Sequence, residues 1–221
     1  MTSIKPDRLV AATSDRRLLD HPFYKAWAAG TLTVEDLREY SKQYWRQVEA
    51  FPGYLQKVGS RISDDRARGI IASNLGDEID GDHQGLWLDF AKALGTAESE
   101  VRASSANPHT ESCVKAFDDA CANSDVGFAL GMLWGYESQT PEVAQTKVEG
   151  LRGHYGIDGD GVTYFELHGE LDVEHADELV EAINREVGVD AAETVAAGAR
   201  AGAEAIWGLL DGVCETRGIS C

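Results

Sequence analysis

Two histidines and an aspartate recur at helical spacing in the run TYFELHGELDVEHA, residues 163–176. His168, Asp172 and His175 stand at positions i, i+4 and i+7, so in a helix their side chains leave the same face. Histidine is scarce here, six among 221 residues, and two imidazoles with a carboxylate are a common set of metal ligands. The alternative is that the three residues fall by chance on a solvated face of an acidic helix. The spacing therefore predicts a helix here and indicates part of a metal site.

Helical spacing continues along the rest of the chain. The longest segment begins at a capping-box pattern, Thr33 with Asp36, and Pro52 is expected to break or kink it. Its apolar residues at three-and-four spacing are Leu37, Tyr40, Tyr44, Val48, Phe51 and Leu55. Thr163 and Glu166 have the same capping spacing, which predicts that the histidine-bearing helix starts at Thr163.

The predicted fold class is all-α, because no run of four or more residues alternates like a strand. A chain of 221 residues can build one good core, so we expect a single domain over residues 1–221 with about seven to nine helices joined by short loops. The apolar segment around GFALGMLWGYES is expected to be a central helix packed on all sides.

The net charge of −18 argues against binding to nucleic acid, whose phosphates would be repelled. No apolar run approaches the ~18 residues that a membrane span needs, and the N-terminal run MTSIKPDRLV lacks the apolar core of a signal peptide. We therefore expect a cytoplasmic protein with no membrane partner.

The four cysteines fit neither a zinc motif nor a disulfide framework. Cys113, Cys121, Cys214 and Cys221 are separated by 8, 93 and 7 positions. We expect all four to be free thiols.

Further ligands are expected where acids or histidines interrupt apolar helical faces. Glu137 ends an otherwise uncharged stretch, so a buried carboxylate there must be protonated, paired or bound to metal. The alternative is a buried Glu137 hydrogen-bonded to a Tyr or Trp. In NLGDEIDGDH, Glu78 and His83 are five positions apart, and Gly81 suggests an unwound turn that brings both inward. Asp80 is the reserve ligand there.

The resulting ligand set holds three carboxylates and three imidazoles, which suits a dinuclear iron or manganese site. Its members are Glu78, His83, Glu137, His168, Asp172 and His175. Asp77, Asp80 and Asp82, between and beside the first two, are expected to be solvated.

Several runs resemble, in the same order, the haem-oxygenase-like dimetal oxidase superfamily. They are HPFYKAW, QYW with AFPGYL, NLGDE, HQGLWLDFAKALG, YESQTPE with TKVEGL, and HGELDVEH. They look most like the branch typified by the chlamydial protein associating with death domains. The resemblance spans nearly residues 20–176 and implies a seven-helix bundle, with a few extra short helices, related to haem oxygenase, TenA and PqqC. It assigns the same six residues as ligands, although the segment between Glu78 and His83 is shorter than in that branch.

The activity implied by the resemblance is dioxygen activation at a reduced dimetal centre, Fe/Fe or Mn/Fe. An external reductant would supply the electrons. The branch also resembles proteins assigned to para-aminobenzoate formation for folate, in which an internal tyrosine is proposed as the ring source and a lysine as the nitrogen source. The matching positions here are Tyr24, Tyr40 and Lys147, and Tyr136 would assist as a neighbour of the metal or in radical transfer. A homodimer is expected.

Three alternatives remain open. Tyr24 and Tyr40 are also explained as core aromatics, and Lys147 as a surface or ion-paired lysine. An oxidase of the same fold could act on a free small molecule, by N-oxygenation or fragmentation of an amino acid or by decarboxylation of a fatty acid. A metal-free TenA-like hydrolase or a protein-binding helical bundle is the third, although the hydrolase would need a positioned cysteine nucleophile.

Overall fold

A computed structural model describes residues 3–221, and in that part of the chain every regular element is helical. The α-helices, in chain order, are α1 Pro6–Thr13, α2 Pro22–Ala28, α3 Val34–Gly59, α4 Asp65–Asp80, α5 His83–Ala93, α6 Glu98–Ala103, α7 Pro108–Asn123, α8 Val126–Glu137, α9 Thr140–Gly150, α10 Asp160–Glu186 and α11 Ala192–Arg217. Short 3₁₀ turns and one π turn, Leu151–Tyr155, join them. The all-α prediction is confirmed.

Helix α3 shows how the sequence determines a local element. Thr33 accepts the backbone N–H of Asp36, whose carboxylate accepts the N–H of Thr33 in return, so the expected capping box forms. The apolar residues predicted for one face are all buried. Helix α3 runs on through Pro52 to Gly59 and does not end there. Since proline has no N–H, the carbonyl of Val48 loses its intrahelical partner.

Helices α8 and α11 form the most closely packed pair, and their contact holds Glu137 in the interior. Almost every residue of α8 is buried, as expected for a central helix. A methyl group built on Gly135 would lie 2.0 Å from the carbonyl oxygen of Ala199, and one on Gly198 would lie 2.0 Å from that of Phe128. Only glycine permits the two backbones to approach this closely.

Two local predictions are wrong. The histidine-bearing helix α10 begins at Asp160, not at Thr163, and the Thr163 hydroxyl donates to the carbonyl of Gly159. Cys214 and Cys221 form a disulfide, because Gly218 turns the chain back with a positive φ of 66° after α11. Cys113 and Cys121 are free thiols, as expected, and both are buried.

No helix among the described residues combines the length and the apolar character that crossing a bilayer would require. The single-domain organisation and the cytoplasmic location remain predictions.

The contact between α8 and α11 predicts that alanine substitutions at two glycines of α11 change the free energy of unfolding in opposite directions. Gly198→Ala should lower the free energy of unfolding by about 3 kcal/mol, because its methyl group would overlap the α8 backbone. Gly208→Ala meets nothing within 4 Å and should raise that free energy by up to about 1 kcal/mol through higher helix propensity. Urea unfolding of the two variants and the unchanged chain measures both effects, and equal stability of the two variants would contradict the close packing.

Candidate metal centre

The six predicted ligands lie together in the interior, and each is at most 7% exposed. Helix α4 supplies Glu78, α5 His83, α8 Glu137, and α10 the remaining three. Glu78, Glu137, His168 and Asp172 line one cavity of about 10 Å³, together with Val48, Phe51, Tyr136 and Tyr164. The structure therefore brings together residues that are up to 97 positions apart, from Glu78 to His175.

The turn between α4 and α5 determines where His83 points. Helix α4 ends at Asp80, and Asp82 adopts a left-handed conformation with φ of 49° before accepting the backbone N–H of Gly85 at the start of α5. This unwound turn places His83 Nδ1 2.9 Å from Glu78 Oε1 despite their five-residue separation. The expected interruption at Gly81 is therefore present. Asp80, the reserve ligand, is exposed; it neither lines the cavity nor joins the donor group of Glu78, so we do not place it among the ligands.

Glu78, His83 and His168 form a compact donor group, with one atom from each lying within 4.8 Å of the others. His168 Nε2 lies 3.9 Å from Glu78 Oε1, while His168 Nδ1 lies 2.7 Å from the carbonyl oxygen of Tyr164. The backbone contact fixes the ring so that Nε2 is left for a metal.

The other half of the site contains Glu137, Asp172 and His175. His175 Nδ1 lies 3.4 Å from Asp172 Oδ1. The Asn74 amide donates to both carboxylate oxygens of Glu137, at 3.1 and 3.4 Å, and thereby orients it. Asn74 had no role in the sequence interpretation, although it lies one turn before Glu78 on the same helix.

The protonation state of each of these buried groups depends on the charges of its neighbours. Burial would raise the pKa of Glu78, but the adjacent His168 and His83 imidazoles outweigh it and lower that pKa to about 2. Burial, and then the nearby Asp172 carboxylate, raise the pKa of Glu137. Burial would lower the pKa of His175, but the Asp172 and Glu137 carboxylates raise it to about 9. The site therefore favours positive charge at its centre.

Unpartnered buried nitrogen atoms test whether these residues fit a metal. Both ring nitrogens of His83 lack a hydrogen-bond partner of regular geometry, and so does Nδ1 of His175. Carboxylate oxygens nevertheless lie close to them. Buried ring nitrogens that converge on carboxylates with part of their hydrogen-bonding capacity unused fit metal coordination, because an uncompensated buried polar atom is otherwise costly. Carboxylates with imidazoles are suitable ligands for iron and manganese, so the residues fit. Their assignment as ligands remains a prediction.

A second group of potential ligands, His21, Cys214 and Cys221, does not fit a metal. His21 Nδ1 accepts the backbone N–H of Phe23, so Nε2 carries the proton and donates to Asp211 at 3.0 Å. The two sulfurs are bonded to each other. All of the donor atoms in this group are already in use.

The predicted tyrosines and lysine form a buried cluster beside the metal site. Lys147 is only 4% exposed, which excludes a surface lysine, and its Nζ donates to the Tyr40 hydroxyl at 2.7 Å. The Tyr24 and Tyr40 hydroxyls are 3.3 Å apart. Burial raises the pKa of both tyrosines and lowers the pKa of Lys147 to about 7.

Tyr44 connects this cluster to the metal site, and sequence interpretation assigned it only to the core. Its hydroxyl donates to that of Tyr136 at 3.1 Å, and its ring centroid is 5.2 Å from that of Tyr40. Tyr136 lines the cavity next to Glu137. The i, i+4 spacing of Tyr40 and Tyr44 was the available signal, because it places both on one face of α3.

Comparison with known proteins gives consistent matches. Residues 38–207 match the family described as iron-containing redox enzyme. The chain is 37% identical to the 4-aminobenzoate synthase of Nitrosomonas europaea, covering 90% of this chain and 87% of that protein. It is 35% identical to the 4-aminobenzoate synthase of Chlamydia muridarum, covering 95% and 89%.

A solved structure of a Shewanella denitrificans domain with a haem-oxygenase-like fold superposes with a TM-score of 0.81 at 17% identity, covering 96% of this chain and 92% of that one. At this identity the likeness concerns the fold alone. The haem-oxygenase-like fold and the resemblance seen in the sequence are confirmed.

The geometry predicts that metal content depends on the buried histidines and not on exposed ones. After anaerobic loading with Fe²⁺ and Mn²⁺, the unchanged chain should retain about two metals, as a dinuclear ligand set requires. The double variant His168→Ala with His175→Ala should retain less than about one, since it loses a ligand from each half of the site. His109→Ala is the control, because His109 lies outside the site and pairs with Glu215. Elemental analysis of desalted protein measures the ratio, and equal metal content in all three proteins would contradict the assignment.

Proposed function

The chain belongs to the family of iron-containing redox enzymes, and we propose that it makes 4-aminobenzoate from its own side chains with dioxygen. In this proposal Tyr24 or Tyr40 supplies the ring and Lys147 supplies the nitrogen. The names of the two relatives motivate the product, and both cover most of this chain. The metal pair would be Fe/Fe or Mn/Fe, with an external electron donor.

The observation that carries the proposal is the burial of a lysine amine among tyrosine hydroxyls. Lys147 Nζ lies 2.7 Å from the Tyr40 hydroxyl and 5.2 Å from the ring centroids of both Tyr24 and Tyr40. Isolation of an amine from water without a carboxylate partner is unfavourable. Such a placement is therefore better explained by reaction with the neighbouring rings than by stability.

The product defines which bonds must change. In a tyrosine the hydroxyl is para to the Cβ carbon, and in 4-aminobenzoate an amine is para to a carboxyl group. The Cα–Cβ bond must therefore break with oxidation of Cβ to the carboxyl level, and the phenolic C–O bond must be replaced by a C–N bond. The phenolic oxygen leaves as water when the Lys147 amine takes its place, and the tyrosine Cα gains a hydrogen and remains in the chain as a glycyl residue. Oxidation of the Nζ–Cε bond by dioxygen, followed by hydrolysis, then frees the aromatic amine and leaves an aldehyde on Cε. Dioxygen is the oxidant, and bound metal would supply its reduction and activation.

The residues of the chain then have distinct roles. The six carboxylates and imidazoles hold the metals, and Asn74 orients Glu137. Burial lowers the pKa of Lys147 to about 7, so near neutral pH a substantial share of the amine keeps its lone pair for attack on the ring. The Tyr44–Tyr136 hydrogen bond and the contact between the Tyr44 and Tyr40 rings connect the cavity to the Tyr40 ring. An electron can move along this path, and a proton can move between the Tyr44 and Tyr136 hydroxyls.

The size of the cavity favours an internal substrate over a free one. About 10 Å³ is roughly the space of a single water molecule, whereas a cavity that admits benzene has about 150 Å³. A free amino acid or fatty acid would therefore require the bundle to open. Oxidation of a free molecule therefore ranks second.

The hydrolase alternative lacks a suitable nucleophile. Burial raises the pKa of the Cys113 thiol, and it raises the pKa of Cys121 to about 12. A catalytic thiol needs the opposite shift. The homodimer, the electron donor and the cytoplasmic location remain parts of the proposal.

Isotope labelling tests the origin of the product. Protein labelled with ring-¹³C tyrosine and ε-¹⁵N lysine, loaded with metal and exposed to dioxygen and reductant, should release doubly labelled 4-aminobenzoate and lose the corresponding mass. Lys147→Arg and Tyr40→Phe should abolish the product, because they remove the amine and its hydroxyl partner. Tyr155→Phe is the control, since Tyr155 bonds to the Leu32 carbonyl outside the cluster. Unlabelled product from labelled protein would refute an internal source.

The initial rate of product formation should also depend on pH. A protonated ammonium has no lone pair, so the reactive fraction of Lys147 falls as pH drops below its pKa of about 7. The rate should decline about tenfold per pH unit below that value and level off above it. Rapid-quench measurements between about pH 5.5 and 8.5 would detect this, and a flat profile would argue against the neutral lysine amine as the nucleophile.

A further inference from the structure

We infer that Asp77 is a positioning residue that orients His175, so that His175 binds metal through Nδ1. Asp77 directly precedes Glu78, and its Oδ2 atom lies 3.3 Å from His175 Nε2. The inference rests on the proposed metal centre but not on the identity of the product.

The two nitrogens of His175 have different surroundings. Nε2 faces the Asp77 carboxylate, which can only accept a hydrogen bond, so the proton of the neutral ring lies on Nε2. Nδ1 is buried, has no hydrogen-bond partner and lies 3.4 Å from Asp172 Oδ1. The lone pair of Nδ1 is thus directed toward another predicted ligand.

His168 provides an internal comparison. There Nδ1 meets the Tyr164 carbonyl at 2.7 Å, which leaves Nε2 on the side of Glu78. The two histidines of α10 therefore offer opposite nitrogens, and each is fixed by a partner on its other nitrogen. A backbone carbonyl fixes His168, whereas a replaceable side chain fixes His175.

Asp77 differs from the acids that follow it. We expected Asp77, Asp80 and Asp82 to be solvated, and all three are exposed as expected. Asp77 is about half-exposed, 48%, and within the described residues its ion-pair contact is to His175. An anionic partner makes the imidazole a stronger donor and holds its plane toward the metal. Asp77 thereby supports the site without touching the metal.

The test compares metal affinity in four variants. Asp77→Ala removes the acceptor and the charge, Asp77→Asn keeps an acceptor oxygen, and Asp77→Glu restores the carboxylate. Asp80→Asn is the matched control, since it makes the same charge change as Asp77→Asn three residues along α4. The protein and a chromophoric chelator compete for Mn²⁺ in one experiment and for Fe²⁺ in another. The absorbance of the chelator then gives the dissociation constant of each metal from the protein. Melting temperatures of the metal-free and loaded forms are measured alongside.

Asp77→Ala should weaken metal binding by about 10-fold to 100-fold, the range typical of the loss of such a partner, with Asp77→Asn intermediate. Asp77→Glu should recover most of the affinity, and Asp80→Asn should leave it within about twofold. The metal-free melting temperature should not change, whereas the rise on loading should shrink for Asp77→Ala.

Equal affinities for Asp77→Ala and Asp80→Asn would overturn the inference. So would a lower metal-free melting temperature with an unchanged rise on loading, because that pattern belongs to a purely structural residue. Failure of the unchanged chain to bind either metal would overturn the inference together with the metal centre. If the variants show the expected order of metal affinities but the loaded protein forms no 4-aminobenzoate, the proposed function is refuted and the role of Asp77 is retained.

Discussion

The rest of the structure depends on compensation of buried charge. The six predicted metal ligands lie buried inside the bundle, and three of them are carboxylates. Burial of an unpaired ion costs several kcal/mol, so these groups compensate one another, and a bound cation would add to that compensation. Burial raises the pKa of Glu137, whereas the adjacent His168 and His83 imidazoles outweigh burial and lower the pKa of Glu78. The glycine contact between α8 and α11 enables the compensation, because it holds the end of α8 in the interior.

Patterns contained within one helix or one turn could be predicted from the sequence. The spacing of His168, Asp172 and His175 determines a shared face once the segment is helical, and the glycine after Asp80 marked the turn that brings His83 to Glu78. The all-α class and the buried face of α3 follow from the same periodicity. In each case the physical cause lies within a few residues, so it is visible without the fold.

Features that arise between distant elements could not be read in this way. Asp77 meets His175 across 98 positions, and Lys147 meets Tyr40 across 107. A half-exposed aspartate and a solvated one have the same sequence signature, as do a buried lysine and a surface lysine. The disulfide depends on the path of the chain after Gly218, and the start of α10 at Asp160 shows that a correctly spaced capping pair need not be the one that begins the helix.

The proposed reaction connects catalysis to the stability of the core. Tyr24 and Tyr40 are both at most 1% exposed, and loss of a large buried aromatic side chain typically costs about 3–5 kcal/mol through the cavity that remains. That is a large part of the stability of an ordinary domain, about 5–15 kcal/mol. Loss of the buried Lys147 amine would relieve part of this cost, since its desolvation is unfavourable. In the proposed reaction, a chain that had reacted once would therefore be less stable and unable to react again, and opening of its weakened core would let the buried product leave.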